Sequence, residues 1–292
     1  MSSPKKIDEV TGIETTGHEW DGIQELNNPL PRWWLIVFWA CVAIAVVYWI
    51  FMPAWPALPG FQGYTHGITN NSERRNVDRD IAALKASRAA YADRLANASL
   101  SETEDDPALL QFALAAGEAA FGDNCATCHG SGAAGAKGYP NLNDDDWLWG
   151  GTLADIRQTI QHGIRSPDPE TRTSQMPAFG RDGILTAAQI NDVVEYVRSL
   201  SGLDSDAAAV SRGAPLFAEN CVACHGADGK GSREFGAPNL TDGIWLYGGD
   251  RDTLRATITN ARQGVMPNWS ARLDAATIAA LSVYVHQRGG GE

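Results

Sequence analysis

From Trp33 to Met52 the chain runs WWLIVFWACVAIAVVYWIFM without a charged residue, and Pro53 follows. At helical rise such a run covers about 30 Å, the thickness of a bilayer core, so it predicts one membrane-spanning helix over 33–55. Trp33 and Trp34 stand at one end, and Tyr48, Trp49 and Trp55 at the other, as an aromatic belt would. A secretory leader would have a shorter apolar core and a small-residue cleavage site. Pro, Gly and Asn then crowd 53–72, which reads as a loop. Val77, Ile81, Leu84, Tyr91 and Leu95 follow at spacings of three, four and seven, which predicts an amphipathic helix over 73–97. SLSETEDDP at 99–107 reads as an acidic, solvated hinge.

From 107 onward the chain repeats itself. Gly117 and Phe121 precede Cys125 by eight and four residues, and Gly213 and Phe217 precede Cys221 by the same intervals. PNL at 140–142 returns at 238–240, and DWLWGG at 146–151 returns as IWLYGG at 244–249. MP at 176–177 returns at 266–267, and LTAAQINDVVEYV at 185–197 returns as LDAATIAALSVYV at 273–285. The order is conserved throughout, so the chain holds two copies of one domain, at 107–201 and 208–288. Each copy predicts a first helix, a Gly-rich loop, a middle helix near 152–162 or 251–261, and a last helix starting at Thr186 or Asp274. Asp106 with Pro107 suits an N-cap and first turn, and Thr186 with Gln189 a capping box. Little β-branched alternation occurs, so the whole chain is expected to be all-α.

Charge adds orientation and excludes one class. Lys5, Lys6 and Arg32 precede the span, and no Lys or Arg follows it until Arg74. Residues 1–32 are therefore expected in the cytoplasm, and 56–106 with everything after it on the outer side of the membrane. A net charge of −12 argues against nucleic-acid binding and suits either solubility or steering of a basic partner.

Chemistry resides in CATCH at 125–129 and CVACH at 221–225. C-x-x-C-H is the attachment pattern of c-type haem: two thiols reach the porphyrin vinyl groups, and the adjacent histidine lies under the iron. Cys125, Cys128, Cys221 and Cys224 are thus candidate covalent anchors, and His129 and His225 proximal ligands, for two covalently bound haem c. A thiol redox pair would want a βαβ setting, and a shared structural zinc fits two distant motifs poorly. Of four methionines, Met1 is terminal and Met52 lies at the membrane edge. Met176 and Met266 occupy matching places and are the candidate sixth ligands, Met176 with His129 and Met266 with His225 by repeat order. His162 competes in the first repeat only, its counterpart being Asn260 or Gln263, and reads as a surface histidine. His66 and His286 carry no assigned chemistry. With both axial positions filled, no catalytic residue is assigned, and two such groups form an electron relay.

These features, together with GIETTGHEWDGIQELNNPLPRWW at 12–34, resemble the dihaem subunit (CcoP, also FixP) of cbb3-type cytochrome c oxidases over nearly the whole chain. The resemblance implies one transmembrane helix followed by two tandem class I-like cytochrome c domains. It implies partners as well: a catalytic subunit with haem b and a haem b3–copper centre, a monohaem c-type subunit, and a donor cytochrome c. It further implies that the carbonyls of Pro140 and Pro238 accept a hydrogen bond from His129 and His225. Gly117 with Phe121, and Gly213 with Phe217, would pack each first helix against Tyr196 and Tyr284 on the last. Trp147 and Trp245 would be haem-propionate donors or plain core aromatics.

Overall fold

The computed structural model describes residues 5–56 and 63–289. Positions 57–62 of the expected loop lie outside the described residues, as do 1–4 and 290–292. The chain divides into two compact units, Met1–Ala86 and Ser87–Glu292.

The first unit opens with an antiparallel hairpin, β1 (Thr15–Trp20) and β2 (Ile23–Leu26). The rest of the described chain is helical as expected, and this short hairpin is added to it. Its turn is Asp21-Gly22, both at positive φ, and Asp-Gly is a strong short-range hairpin signal. Helix α1 (Arg32–Phe51) follows, long and apolar enough to cross a membrane, with no buried residue. Its last carbonyls are not left bare. The Ile68 amide donates to Ile50 O at 2.9 Å and the Thr69 amide to Phe51 O at 3.2 Å. Helix α2 (Glu73–Asn97) matches the expected bounds and continues into the second unit.

The second unit holds α3 (Leu100–Asp105), α4 (Pro107–Asn124), α5 (Ala126–His129), α6 (Leu153–His162), α7 (Ala187–Leu200), α8 (Ala207–Asn220), α9 (Val222–His225), α10 (Arg251–Asn260) and α11 (Ala275–Arg288). The expected hinge at 99–107 is instead the helix α3. Ser99 and Glu102 close a capping box there, and Thr103 is fully buried. Asp106 then caps α4 by accepting from Ala108 and Leu109, with Pro107 in the first turn.

Packing does not follow the repeats. Helix α4 packs on α11, and α7 on α8; α6 also packs on α11, and α10 on α7. Phe121, Ile156, Ile160, Ile278, Leu281 and Val285 form one core, extended by Leu95, Leu109, Ala113 and Val283. Phe179, Val193, Val197, Phe217, Leu254 and Ile258 form another. The first body therefore joins the front half of repeat one to the back half of repeat two. The other body is the contiguous stretch between them. The expected first-to-last helix contacts are exchanged accordingly: the Phe121 ring meets Tyr284 at 5.4 Å, and Phe217 meets Tyr196 at 5.1 Å.

Two glycines permit these crossings. A Cβ on Gly117 would lie 2.5 Å from Ala280 O and 2.6 Å from Tyr284 Cβ. One on Gly213 would lie 2.9 Å from Tyr196 Cβ. The exchange has a local cause as well. Only Ser201–Asp206 separate α7 from α8, so closing that pair restricts little chain. Glu195 of α7 locks the junction, accepting from Arg251 Nε at 2.6 Å and from the Asp206 amide at 2.8 Å.

Candidate haem-binding sites

Each Cys-x-x-Cys-His is a single helical turn. The Cys128 and His129 amides donate to Cys125 O at 3.1 and 2.9 Å, and those of Cys224 and His225 to Cys221 O at 3.2 and 3.0 Å. The turn carries both thiols and the imidazole in one short segment at the end of a helix, α4 or α8, anchored by Phe121 or Phe217. None of the four cysteines forms a disulfide.

The histidine tautomer follows from its partner. His129 Nδ1 lies 3.1 Å from Pro140 O, and His225 Nδ1 lies 3.1 Å from Pro238 O. A carbonyl only accepts, so Nδ1 carries the proton and donates, and Nε2 keeps its lone pair for a metal. Burial holds both imidazoles below their usual pKa, opposed by those carbonyl bonds, which again favours the neutral ligand form.

The thiols argue against exchange chemistry. Burial, with a second thiol beside it, pushes Cys125 and Cys221 up to about 11. A redox-active pair needs a depressed value, so these are poor exchange nucleophiles. Among the described residues no cluster of three or more His, Cys, Asp or Glu is arranged to hold a metal ion alone.

Both methionines reach a core that contains a Cys-x-x-Cys-His turn, but not the one that repeat order gives. Met266 packs against the core with Cys125, Ala126, Leu142 and Trp147. Met176 packs against the other, with Cys221, Val222, Leu240 and Trp245. Ile164 and Met266 exchange both backbone hydrogen bonds at 3.0 Å, and the Trp269 amide donates to Ile160 O at 3.1 Å. In the other body the Phe179 amide donates to Ile258 O at 3.1 Å. Against the expected pairs, His129 with Met176 and His225 with Met266, core packing sets Met266 beside the Cys125 turn and Met176 beside the Cys221 turn. The physical reason is the α7–α8 linkage described above, which carries each methionine loop into the neighbouring body.

The remaining residues fit a porphyrin carboxylate. Arg172 Nε is buried and has no hydrogen-bond partner, while its terminal nitrogens bind Trp149 O and, at 3.0 Å, Asp155 Oδ1. The buried Nε–H, left without an acceptor, suits a carboxylate oxygen, and sequence alone gave no signal for it. Arg172 lines a cleft of about 380 Å³ with Trp149, Asp155, Gln158 and Arg233 among others. Trp147 and Trp245 each pack against one core, as the plainer of the two expectations has it. Burial, with Asp242 and Asp144 nearby, raises Asp146 to about 6. His162 is not a free surface group: Asp168 holds its Nδ1 at 3.0 Å and Glu170 its Nε2 at 3.2 Å. His286 binds Glu104 of α3 at 2.9 Å.

Comparison with known proteins agrees with this donor set. Residues 12–59 match the N-terminal domain of cytochrome oxidase-cbb3, FixP. Residues 114–201 match cytochrome c, and 208–285 match cytochrome C oxidase, cbb3-type, subunit III. The chain is 56% identical to the cbb3-type cytochrome c oxidase subunit FixP of Bradyrhizobium sp. (strain ORS 278), over 100% of both chains. It is 56% identical to subunit CcoP of Cereibacter sphaeroides over 95% of each, and 50% identical to FixP of Rhizobium meliloti over 99% of this chain and 98% of that one. The chain belongs to the FixP/CcoP family. In FixP/CcoP terms the hairpin and α1 are the family's N-terminal domain, and the two repeats are its cytochrome c domains. The cytochrome c matches follow the repeats, while the FixP/CcoP chain packs across them.

Proposed function

We propose that the chain is the membrane-anchored dihaem subunit of a cbb3-type cytochrome c oxidase, relaying electrons from a donor cytochrome c toward a monohaem subunit and the oxygen-reducing haem b and haem b3–copper subunit. The observation that carries this is the twice-built donor set: a Cys-x-x-Cys-His turn, a proline carbonyl on Nδ1, and a methionine in the same core. Haem iron supplies one-electron chemistry when bound.

The chain's own residues have defined tasks in this reading. Cys125 and Cys128, or Cys221 and Cys224, anchor the porphyrin edge. Pro140 and Pro238 fix the ring plane of His129 and His225. Met266 and Met176 would supply the second protein ligand to each iron and so would exclude exogenous ligands. Arg172 receives a propionate in a water-poor setting. Residues 1–32 lie in the cytoplasm, 33–55 cross the membrane, and the cytochrome c domains face the periplasm; Lys5, Lys6 and Arg32 on one side of α1 support this orientation.

Gentle purification of the tagged chain from its native membrane tests the reading. The expected result is b-type haem co-purifying with two c-type haems per chain, and oxygen uptake on a reduced donor. Two c-type haems alone, without uptake from an intact preparation, would make the chain an anchored donor to a different respiratory enzyme.

A further inference from the structure

Two stretches of chain cross between the haem bodies, and each delivers a methionine. Residues 163–175 leave α6 in the Cys125 body and lead to Met176 in the Cys221 body. Residues 261–265 leave α10 in the Cys221 body and lead to Met266 in the Cys125 body. Arg165 lies on the first stretch and ties the two together. Its Nε donates to Gly264 O at 2.7 Å, and its Nη1 donates to Ser174 O at 3.1 Å. Each carbonyl stands two residues ahead of a methionine, Gly264 before Met266 and Ser174 before Met176.

A guanidinium suits this task, because its donors form one rigid planar fork. Both of these partners are backbone carbonyls, so the contacts fix the position of the chain. The Arg165 backbone is itself unusual, at φ 54°, in the left-handed region that a long side chain rarely adopts. Such a conformation persists where the surrounding bonds over-determine it, and the Arg165 amide donates to Arg172 O at 2.9 Å. The two methionines lean on Arg165 unequally. Met266 has its own backbone bonds with Ile164. From Thr173 to Pro177 no backbone–backbone hydrogen bond forms among the described residues, so Ser174 O is the polar anchor of that stretch. The second repeat does not duplicate the device: counted from the ends of α6 and α10, Gln263 stands where Arg165 does.

We propose that Arg165 is a positioning residue for both methionines, one guanidinium holding the Met176 and Met266 segments together, so that the two haem sites close as a linked pair. This rests on the methionine ligation proposed above.

Carbon monoxide binding by the full-length dihaem chain, purified in detergent, tests it. The weak far-red band of methionine-ligated ferric haem and the two haem potentials are read alongside. Met176→Ala and Met266→Ala should each open one haem of the chain to the gas. Arg165→Gln should bind several-fold more gas than the parent, lose part of the far-red band and lower both potentials. Added to Met266→Ala, it should open the remaining His225 haem; added to Met176→Ala, the remaining His129 haem. The first effect should be the larger, since Ser174 has the fewer ties. Arg165→Lys keeps the charge without the fork and should act in the same direction, and it decides the matter if Arg165→Gln accumulates without haem. Open methionine variants with closed Arg165 variants overturn this proposal and leave the ligation standing. Opening of one haem alone by the Arg165 variants overturns the linkage. Methionine variants that both stay closed overturn the ligation, and this proposal with it.

Discussion

Ile164 and Met266 belong to different repeats, yet they exchange both backbone hydrogen bonds, each at 3.0 Å. This short ladder delivers Met266 to the core that contains Cys125 and His129. Its clearest consequence is a ligand test. In a chain with Cys125 and Cys128 replaced by Ala, only the His225 haem is attached. Met176→Ala should then open that haem to carbon monoxide and lower its potential, and Met266→Ala should leave it closed. A carbon monoxide difference spectrum reads the outcome; the reverse pattern would restore pairing within each repeat.

The Gly117 crossing is too tight for any side chain. Gly117→Ala should force α4 from α11 and cost about 1–3 kcal/mol, the usual range for overpacking a core. Gly213→Ala should do the same to α7 and α8. Thermal unfolding of the purified protein, with the haem content of each site, checks the magnitude. The first variant should affect the Cys125 site, and the second the Cys221 site.

Asp146 sets a pH dependence. Its carboxyl is raised to about 6 by burial, with Asp242 and Asp144 adding repulsion. A folded value above the ordinary one means that the folded chain binds this proton more tightly, so its contribution to stability falls as pH rises from about 4 to 6. Asp146→Asn should therefore raise the unfolding midpoint at pH 7. The gain should vanish below about pH 4, where the parent Asp is protonated in both states. An equal gain at both pH values would locate the effect elsewhere.

Glu195 has the opposite sign. The Arg251 guanidinium beside it holds its carboxyl below the usual range. The pair contributes stability above the ordinary Glu value, and that stability is lost as pH falls through the lowered one. Glu195→Gln should cost about 1–2 kcal/mol near neutrality, on the scale of hydrogen bonds to charged groups. The difference from the parent should shrink on acidification. Urea unfolding at two pH values measures both.

The elements were largely legible in the sequence because each carries a local signal. The uncharged run 33–52, Asp106-Pro107, the Thr186–Gln189 box and the stripe from Val77 to Leu95 all recur as helices with the expected starts. The hairpin and α3 were legible in principle: Asp21-Gly22 and Ser99–Glu102 are local signals masked by the polar, acidic composition around them. The pairing of halves was not legible. Two repeats with nearly identical apolar faces satisfy their periodicity in either arrangement. What separates the arrangements is non-local: the short α7–α8 connection, and Glu195 reaching Arg251 and Asp206 across it. Arg172 was missed for a related reason, since an arginine in a polar loop has no pattern until its Nε is seen buried without an acceptor.

The exchange of halves also imposes an order on maturation. The body around Cys221 draws on one uninterrupted stretch, from Met176 and α7 through α10, and is complete once that stretch has been made. The body around Cys125 is left as an open half until α11 and Met266 arrive, after its partner has been made. On the proposed reading its thiols stay reachable for longer, and the methionine that would ligate its haem arrives last. A nascent chain stalled after α10 should carry a closed second haem and an open first one, a maturation sequence opposite to the order of the motifs along the polypeptide.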